Sequence, residues 1–166
     1  MTDTANDRMT PEEYRKQQAK SMSEEAIHKA VIDYADRLSF QRPELQLLFH
    51  PPNGGKMPQG SAGKLKGMGM RKGVPDLLLP VPQLGGFDAA AERIEYTGLA
   101  LELKSADGYL RPEQAWWLRA LKAQDWAVVV ARSVEDAIHI LESYLDGEHE
   151  EQQLPLDRAK PPPHAQ

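Results

Sequence analysis

At 166 residues and 40% hydrophobic content, the chain is long enough for one globular domain with a proper core, short for two, and too apolar to be disordered throughout. The lack of any cysteine excludes disulfides, Cys-ligated zinc and a cysteine nucleophile, and no apolar run approaches the roughly 18 residues that span a bilayer. The net charge of −5 argues against nucleic acid only until its distribution is read, because residues 133–166 carry eight acids against Arg158 and Lys160, a balance of −6, which leaves +1 for residues 1–132.

Residues 1–20 are polar and charged, without the apolar stretch of a signal peptide, and read as a flexible leader, with the cytoplasm as the default location. The run "SMSEEAIHKAVIDYADRL" predicts a helix. Ile27, Ala30, Val31, Tyr34 and Leu38 line one face of it, and Ser21 or Ser23 caps its start. "LQLLFH", Leu45–His50, predicts a short strand before the breaker-rich "PPNGGKMPQG", and "SAGKLKGMGM" a brief helix or ordered loop. Flanking prolines leave "PDLLLPV" too short for a helix, so it reads as a buried strand. "QLGGFDAAAERIEY" is an irregular excursion or hairpin arm, and "TGLALELKS" is the next strand. Pro112 opens a helix over "PEQAWWLRALKAQ", "WAVVVA" is a buried strand, and "SVEDAIHILESYL" is a closing amphipathic helix capped by Ser133. Strands alternating with helices predict an α/β domain over 21–146, with a mixed central β-sheet flanked by helices. The acidic, then proline-rich tail 147–166 predicts disorder.

Chemistry concentrates on two strands. Residues two apart share a strand face, so Glu102 and Lys104 point one way while Leu101 and Leu103 point into the core. If the "PDLLLP" strand lies beside this one, Asp76 comes close to Glu102, and two such carboxylates need a proton or a cation between them. A divalent cation held by oxygen ligands, Mg²⁺ or Mn²⁺, suits that pair, and the five scattered histidines offer no zinc motif. Lys104 would then orient or deprotonate a water, or stabilise charge on a phosphate. A plain alternative stays open: Glu102 and Lys104 as the solvated face of an edge strand, and Asp76 as a turn cap.

The pattern PD-x(25)-E-L-K from Pro75 to Lys104 resembles the PD-(D/E)xK nuclease signature. With "HPPNGG", "KGVPDLLL", "LELKSADGYLRPEQAWWLRAL" and "WAVVVARSVEDA" in that order, the chain resembles the virus-type replication-repair nuclease (VRR-NUC) domain from about Ser23 to Leu145. Its length is similar to that of stand-alone phage and bacterial members. The resemblance implies a restriction-endonuclease-like fold. It also implies that Asp76 and Glu102 bind metal, with the Leu103 backbone carbonyl as a further ligand, and that Lys104 is the catalytic lysine. Gln114 matches the family's helix glutamine and would steady the metal site or the attacking water. The family's first-helix glutamate falls on Glu24 or Glu25. At 100° per residue Glu24 lies about 60° from Ile27, beside the apolar stripe, and Glu25 about 160° away, so Glu24 is chosen as ligand. With Ser21 as N-cap, Glu24 would instead complete a capping box.

Between His50 and Pro75 there are no acids, while Lys56, Lys64, Lys66, Arg71 and Lys72 supply positive charge for DNA phosphates. His50 and Asn53 match the family's H-x-P-N element, with His50 either at the metal site or a phosphate or a structural histidine ending a strand, and Asn53 in a turn. "GKLKGMGMRKG" lacks the order of a nucleotide-binding loop, so no nucleotide cofactor is expected. The resemblance implies a homodimeric, metal-dependent DNA endonuclease that nicks four-way (Holliday) junctions. The alternatives are a nuclease for flap, single-stranded or other DNA, and a non-catalytic DNA-binding subunit on the same fold.

Overall fold

The computed structural model describes residues 22–52, 61–85 and 93–162. The expected leader, Lys56 and Asn53 lie outside them. Helix α1 spans Glu24–Leu38, and its N-cap is Ser23, whose hydroxyl accepts from the Ala26 N–H at 3.2 Å. Ile27, Val31 and Ala35 form its buried stripe. Helix α2 is Ser61–Gly67. Strands β1, Leu77–Leu79, β4, Gly98–Leu103, and β5, Trp126–Ala131, form a mixed sheet in the order β1–β4–β5. β1 runs antiparallel to β4, pairing Leu77 with Leu101, while β5 runs parallel to β4. The excursion between β1 and β4 is a hairpin of β2, Gln83–Gly85, and β3, Arg93–Tyr96. Helices α3, Pro112–Lys122, and α4, Val134–Asp146, follow as the sequence predicts, the latter capped by the Ser133 hydroxyl.

The alternation of β4 sorts the layers. Leu99, Leu101 and Leu103 share a core with Leu77, Leu79, Ala127 and Val129, with Ile27 and Val31 of α1 and with Leu141 and Tyr144 of α4. Ala100 faces the other way, into a second cluster with Val128, Val130 and Leu118 of α3. Helices therefore cover both faces, and every residue of β4 is buried. The architecture is α/β, with a mixed sheet between helices.

Two expectations fail. Leu45–His50 is not a strand: Pro43 opens a 3₁₀ turn, Pro43–Leu47, and only Phe49 bridges to Leu78, through N–H···O bonds of 3.0 and 2.9 Å. Pro51 and Pro52 have no N–H with which to continue a ladder. The tail is not disordered over 147–162. Gly147 ends α4 in the left-handed region at φ 76°, and His149 packs edge-on against Tyr96 and Tyr144. The Gln152 side chain then occupies the outer edge of β5, accepting from the Val130 N–H at 2.7 Å and donating to the Val130 carbonyl at 3.2 Å. Leu154 and Leu156 pack onto the α3 cluster, a short 3₁₀ turn spans Leu156–Arg158, and the Lys160 N–H reaches the Pro112 carbonyl at 3.0 Å. Acidic composition hid these few apolar anchors.

Among the described residues, no helix is long and apolar enough to cross a membrane.

Candidate active site

Asp76 immediately precedes β1. One step along the Leu77–Leu101 register places it opposite Glu102, where cross-strand side chains share a face. Asp76 Oδ2 accepts from the Leu103 N–H at 2.9 Å, which fixes the carboxylate against the end of β4. His50 Nδ1 lies 2.7 Å from the Asp76 carbonyl oxygen, and the His28 ring stands edge-on to His50 with centroids 4.6 Å apart.

Glu102 is on the α3 face of β4 and is 0% exposed, and Lys104 is 4% exposed. They are thus no solvated face. Lys104 Nζ stands 2.7 Å from Glu102 Oε1 and donates to the Leu103 carbonyl at 3.1 Å. The Gln114 amide nitrogen also donates to Glu102 Oε1, while its amide oxygen accepts from the Arg111 N–H at 2.9 Å. The two bonds fix which way the amide faces. Glu102 Oε2 is buried and accepts from no described residue. Burial first, and then the charge of Asp76, pushes the Glu102 carboxyl up to about 8 despite the opposing pull of Lys104.

Glu24 and Glu25 separate cleanly. Glu24 is the first residue of α1, so Ser23 rather than Ser21 is the cap and no capping box forms on Glu24. Its Oε2 lies 3.7 Å from Lys104 Nζ and its Oε1 accepts from the Ser105 N–H at 3.4 Å. Glu25 pairs with Lys29, one turn along the exposed side of α1. The N-terminus of α1, the start of α3 and the end of β4 thus converge on one cleft of about 410 Å³, lined by Glu24, Asp76, Lys104 and Gln114 with the 107–113 segment.

The basic residues divide. Lys72 lines the cleft but is tied to Glu113 at 2.9 Å. Gly73 explains the tightness of this join: at φ 84° it presses against Glu113, where a Cβ would come within 2.8 Å of the Glu113 backbone. The Trp117 indole N–H closes the same join by donating to the Lys72 carbonyl at 3.0 Å. Arg71 reaches back to the carbonyls of Lys66 and Met70, and Lys64 and Lys66 stand exposed on α2.

Sequence reasoning missed Arg132. One of its guanidinium nitrogens, Nη1, lies within 2.6 Å of the Gly108 carbonyl oxygen, 3.2 Å of that of Ser105 and 3.4 Å of that of Ala106, so it holds the loop beside Glu24. Its position just after the parallel strand β5, at the same sheet end as Lys104, was the available clue.

Among the described residues no three histidines or acids converge as a ready metal cage. Asp76 and Glu102, which keeps an unpartnered Oε2, are instead two carboxylates facing each other across neighbouring strands, with Glu24 near Lys104. Such a pair fits a hard divalent cation that takes one or two carboxylates and keeps its waters.

No family model matches the chain, and no curated protein matches it. A solved structure of a "VRR_NUC domain protein" is similar, with a TM-score of 0.60 and 23% identity over 79% of this chain and 98% of that one. At that identity the likeness is one of fold, and the fold of this chain is that of a VRR_NUC domain.

Proposed function

We propose that this chain is a metal-dependent DNA endonuclease that hydrolyses phosphodiesters at the Asp76–Glu102–Lys104 cleft. The observation that carries this reading is the arrangement at Glu102. A fully buried carboxylate opposite Asp76 keeps one oxygen without a hydrogen bond while Lys104 and Gln114 hold the other. A binding module has no use for so costly a burial of like charges.

Asp76, Glu102 and, through its outer carboxylate, Glu24 would hold Mg²⁺ or Mn²⁺, with the Leu103 carbonyl at the same strand end. A divalent cation held there would lower the pKa of a bound water and neutralise phosphate charge. The chain's own groups do the rest. Lys104, held by Glu102 and the Leu103 carbonyl, presents a fixed positive charge to the attacking oxygen or to the developing phosphorane charge. Gln114 keeps the Glu102 carboxylate from turning, because its own amide is anchored on Arg111. Lys64, Lys66, Arg71 and Lys72, with His50 near Asp76, supply the basic side of the DNA path, and Lys56 and Asn53 continue it in sequence.

The substrate proposed is branched DNA. A homodimer would set two such clefts about a two-fold axis, which suits paired nicks in a four-way junction. The test is cleavage of labelled four-way junction, flap, single-stranded and linear duplex DNA with Mn²⁺, Mg²⁺ or chelator. Paired nicks on the junction support the whole reading, and metal-dependent cutting of another substrate retains the nuclease while removing the junction. Binding without any cutting would establish the accessory-subunit alternative instead.

A further inference from the structure

Tyr109 is 78% exposed and yet lines the same cleft as Asp76 and Lys104. Single exposed aromatics are common on surfaces and need no explanation by themselves. This one differs in how firmly its backbone is held. On its N-terminal side, Arg132 grips the Ser105, Ala106 and Gly108 carbonyls, and Glu24 takes the Ser105 N–H. On its C-terminal side, Leu110 packs, half-buried, against the cluster of Ala100, Leu118, Val128 and Val130. Arg111 then adopts an extended backbone, φ −73° and ψ 153°, as the N-cap of α3. Alternation along this segment turns Leu110 toward that cluster and places Tyr109 and Arg111 on the cleft side, where both are exposed. The ring is thus presented to solvent from an anchored segment, at the rim of a cleft that also holds charged groups.

We infer that Tyr109 is a base-stacking subsite, on which a nucleobase freed from the duplex rests while its neighbouring phosphate lies at the Asp76–Glu102–Lys104 centre. This rests on the proposed nuclease function and narrows its substrate to DNA with an unpaired or readily unstacked base beside the cut. An aromatic face suits any base and gives no sequence preference, so the selectivity it supplies is for strand state. Arg111, two residues on, places positive charge where the adjoining backbone would pass.

The test uses the full chain with a 2-aminopurine-labelled single-stranded oligonucleotide and a fully paired duplex of the same sequence. Affinity is read by anisotropy in Ca²⁺ and in chelator, and stacking by 2-aminopurine emission, which falls when the base stacks. Tyr109→Ala should weaken single-strand binding by about tenfold, within the usual range for one base–aromatic stack, and restore emission. Tyr109→Phe should match wild type in both, and duplex affinity should be the same in all three proteins. Equal single-strand affinity and emission in wild type and Tyr109→Ala overturns the inference, as does an equal loss in the Phe and Ala variants, which would implicate the hydroxyl. If wild type binds neither of these but does bind a four-way junction, the subsite alone falls; if it binds none of the three, the proposed function falls with it.

Discussion

Lys104 Nζ lies 2.7 Å from Glu102 Oε1, with Glu102 wholly buried and Lys104 nearly so, and the two are bound to different neighbours as well, Lys104 to the Leu103 carbonyl and Glu102 to Gln114. Breaking one side of a buried ion pair strands the other charge. Lys104→Met should therefore destabilise the protein by about 3–5 kcal/mol above pH 8, where Glu102 is ionised, and adding Glu102→Gln should recover most of that. Urea unfolding of the two single variants and the double variant checks this. A double variant less stable than Lys104→Met alone would show that the pair is not the unit the geometry indicates.

Glu24 and Glu25 adjoin in sequence but only Glu24 turns to Lys104 and Ser105. Glu24→Gln should lower the cleavage rate by tenfold or more, on the order of one lost charged contact in the transition state. Glu25→Gln should leave the rate within about twofold, as expected of an exposed pair one turn along a helix. Single-turnover rates of the two variants decide the assignment, and equal rates would remove Glu24 from the site.

The tail carries its own pH dependence. His149 is held below its ordinary pKa, chiefly by burial against Tyr96 and Tyr144, with Glu151 and Glu95 opposing. The unfolded chain thus binds a proton at His149 more readily than the folded one. The resulting stability is fully present above pH 6.5 and is lost as pH falls below it. His28 shifts in the same direction, so the comparison must isolate His149. Thermal melts from pH 8 to 5 should fall more steeply for wild type than for His149→Phe. Parallel curves would mean that the imidazole is not buried as described.

Removing the tail after Asp146 should uncover both the β5 edge at Val130 and the Leu118–Val128 cluster. An open strand edge invites pairing with another chain. The truncated protein should melt lower and self-associate on size-exclusion chromatography, with Gln152→Ala showing a milder form of the same change. Unchanged melting and elution would reduce the tail to a passive covering.

Much of this fold was legible because its strands are short apolar runs walled by Pro and Gly. "PDLLLP", "TGLALEL" and "WAVVVA" each gave their strand, and Ser23 and Ser133 gave two helix starts. The approach of Asp76 to Glu102 was legible as well, since it required only that two neighbouring strands run antiparallel. The depth of Glu102 was not. Alternation marks which residues share a face, but it cannot say that α3 covers that face and brings Gln114 with it. The Leu45–His50 misreading came from weighing leucines over the prolines on either side. The tail was misread because two leucines, one histidine and one glutamine supply its anchoring while acids dominate its composition. Arg132 stayed hidden because it acts on backbone carbonyls, which leave no residue pattern.

The most direct measurement of the central claim is single-turnover cleavage of a labelled four-way junction by wild type, Asp76→Ala and Lys104→Ala, in Mn²⁺ and in chelator, with junction binding followed in parallel. The account predicts cutting by wild type in Mn²⁺ alone, and loss of cutting in both variants with binding largely retained. Wild-type rates in either variant, or cutting that persists in chelator, would contradict it.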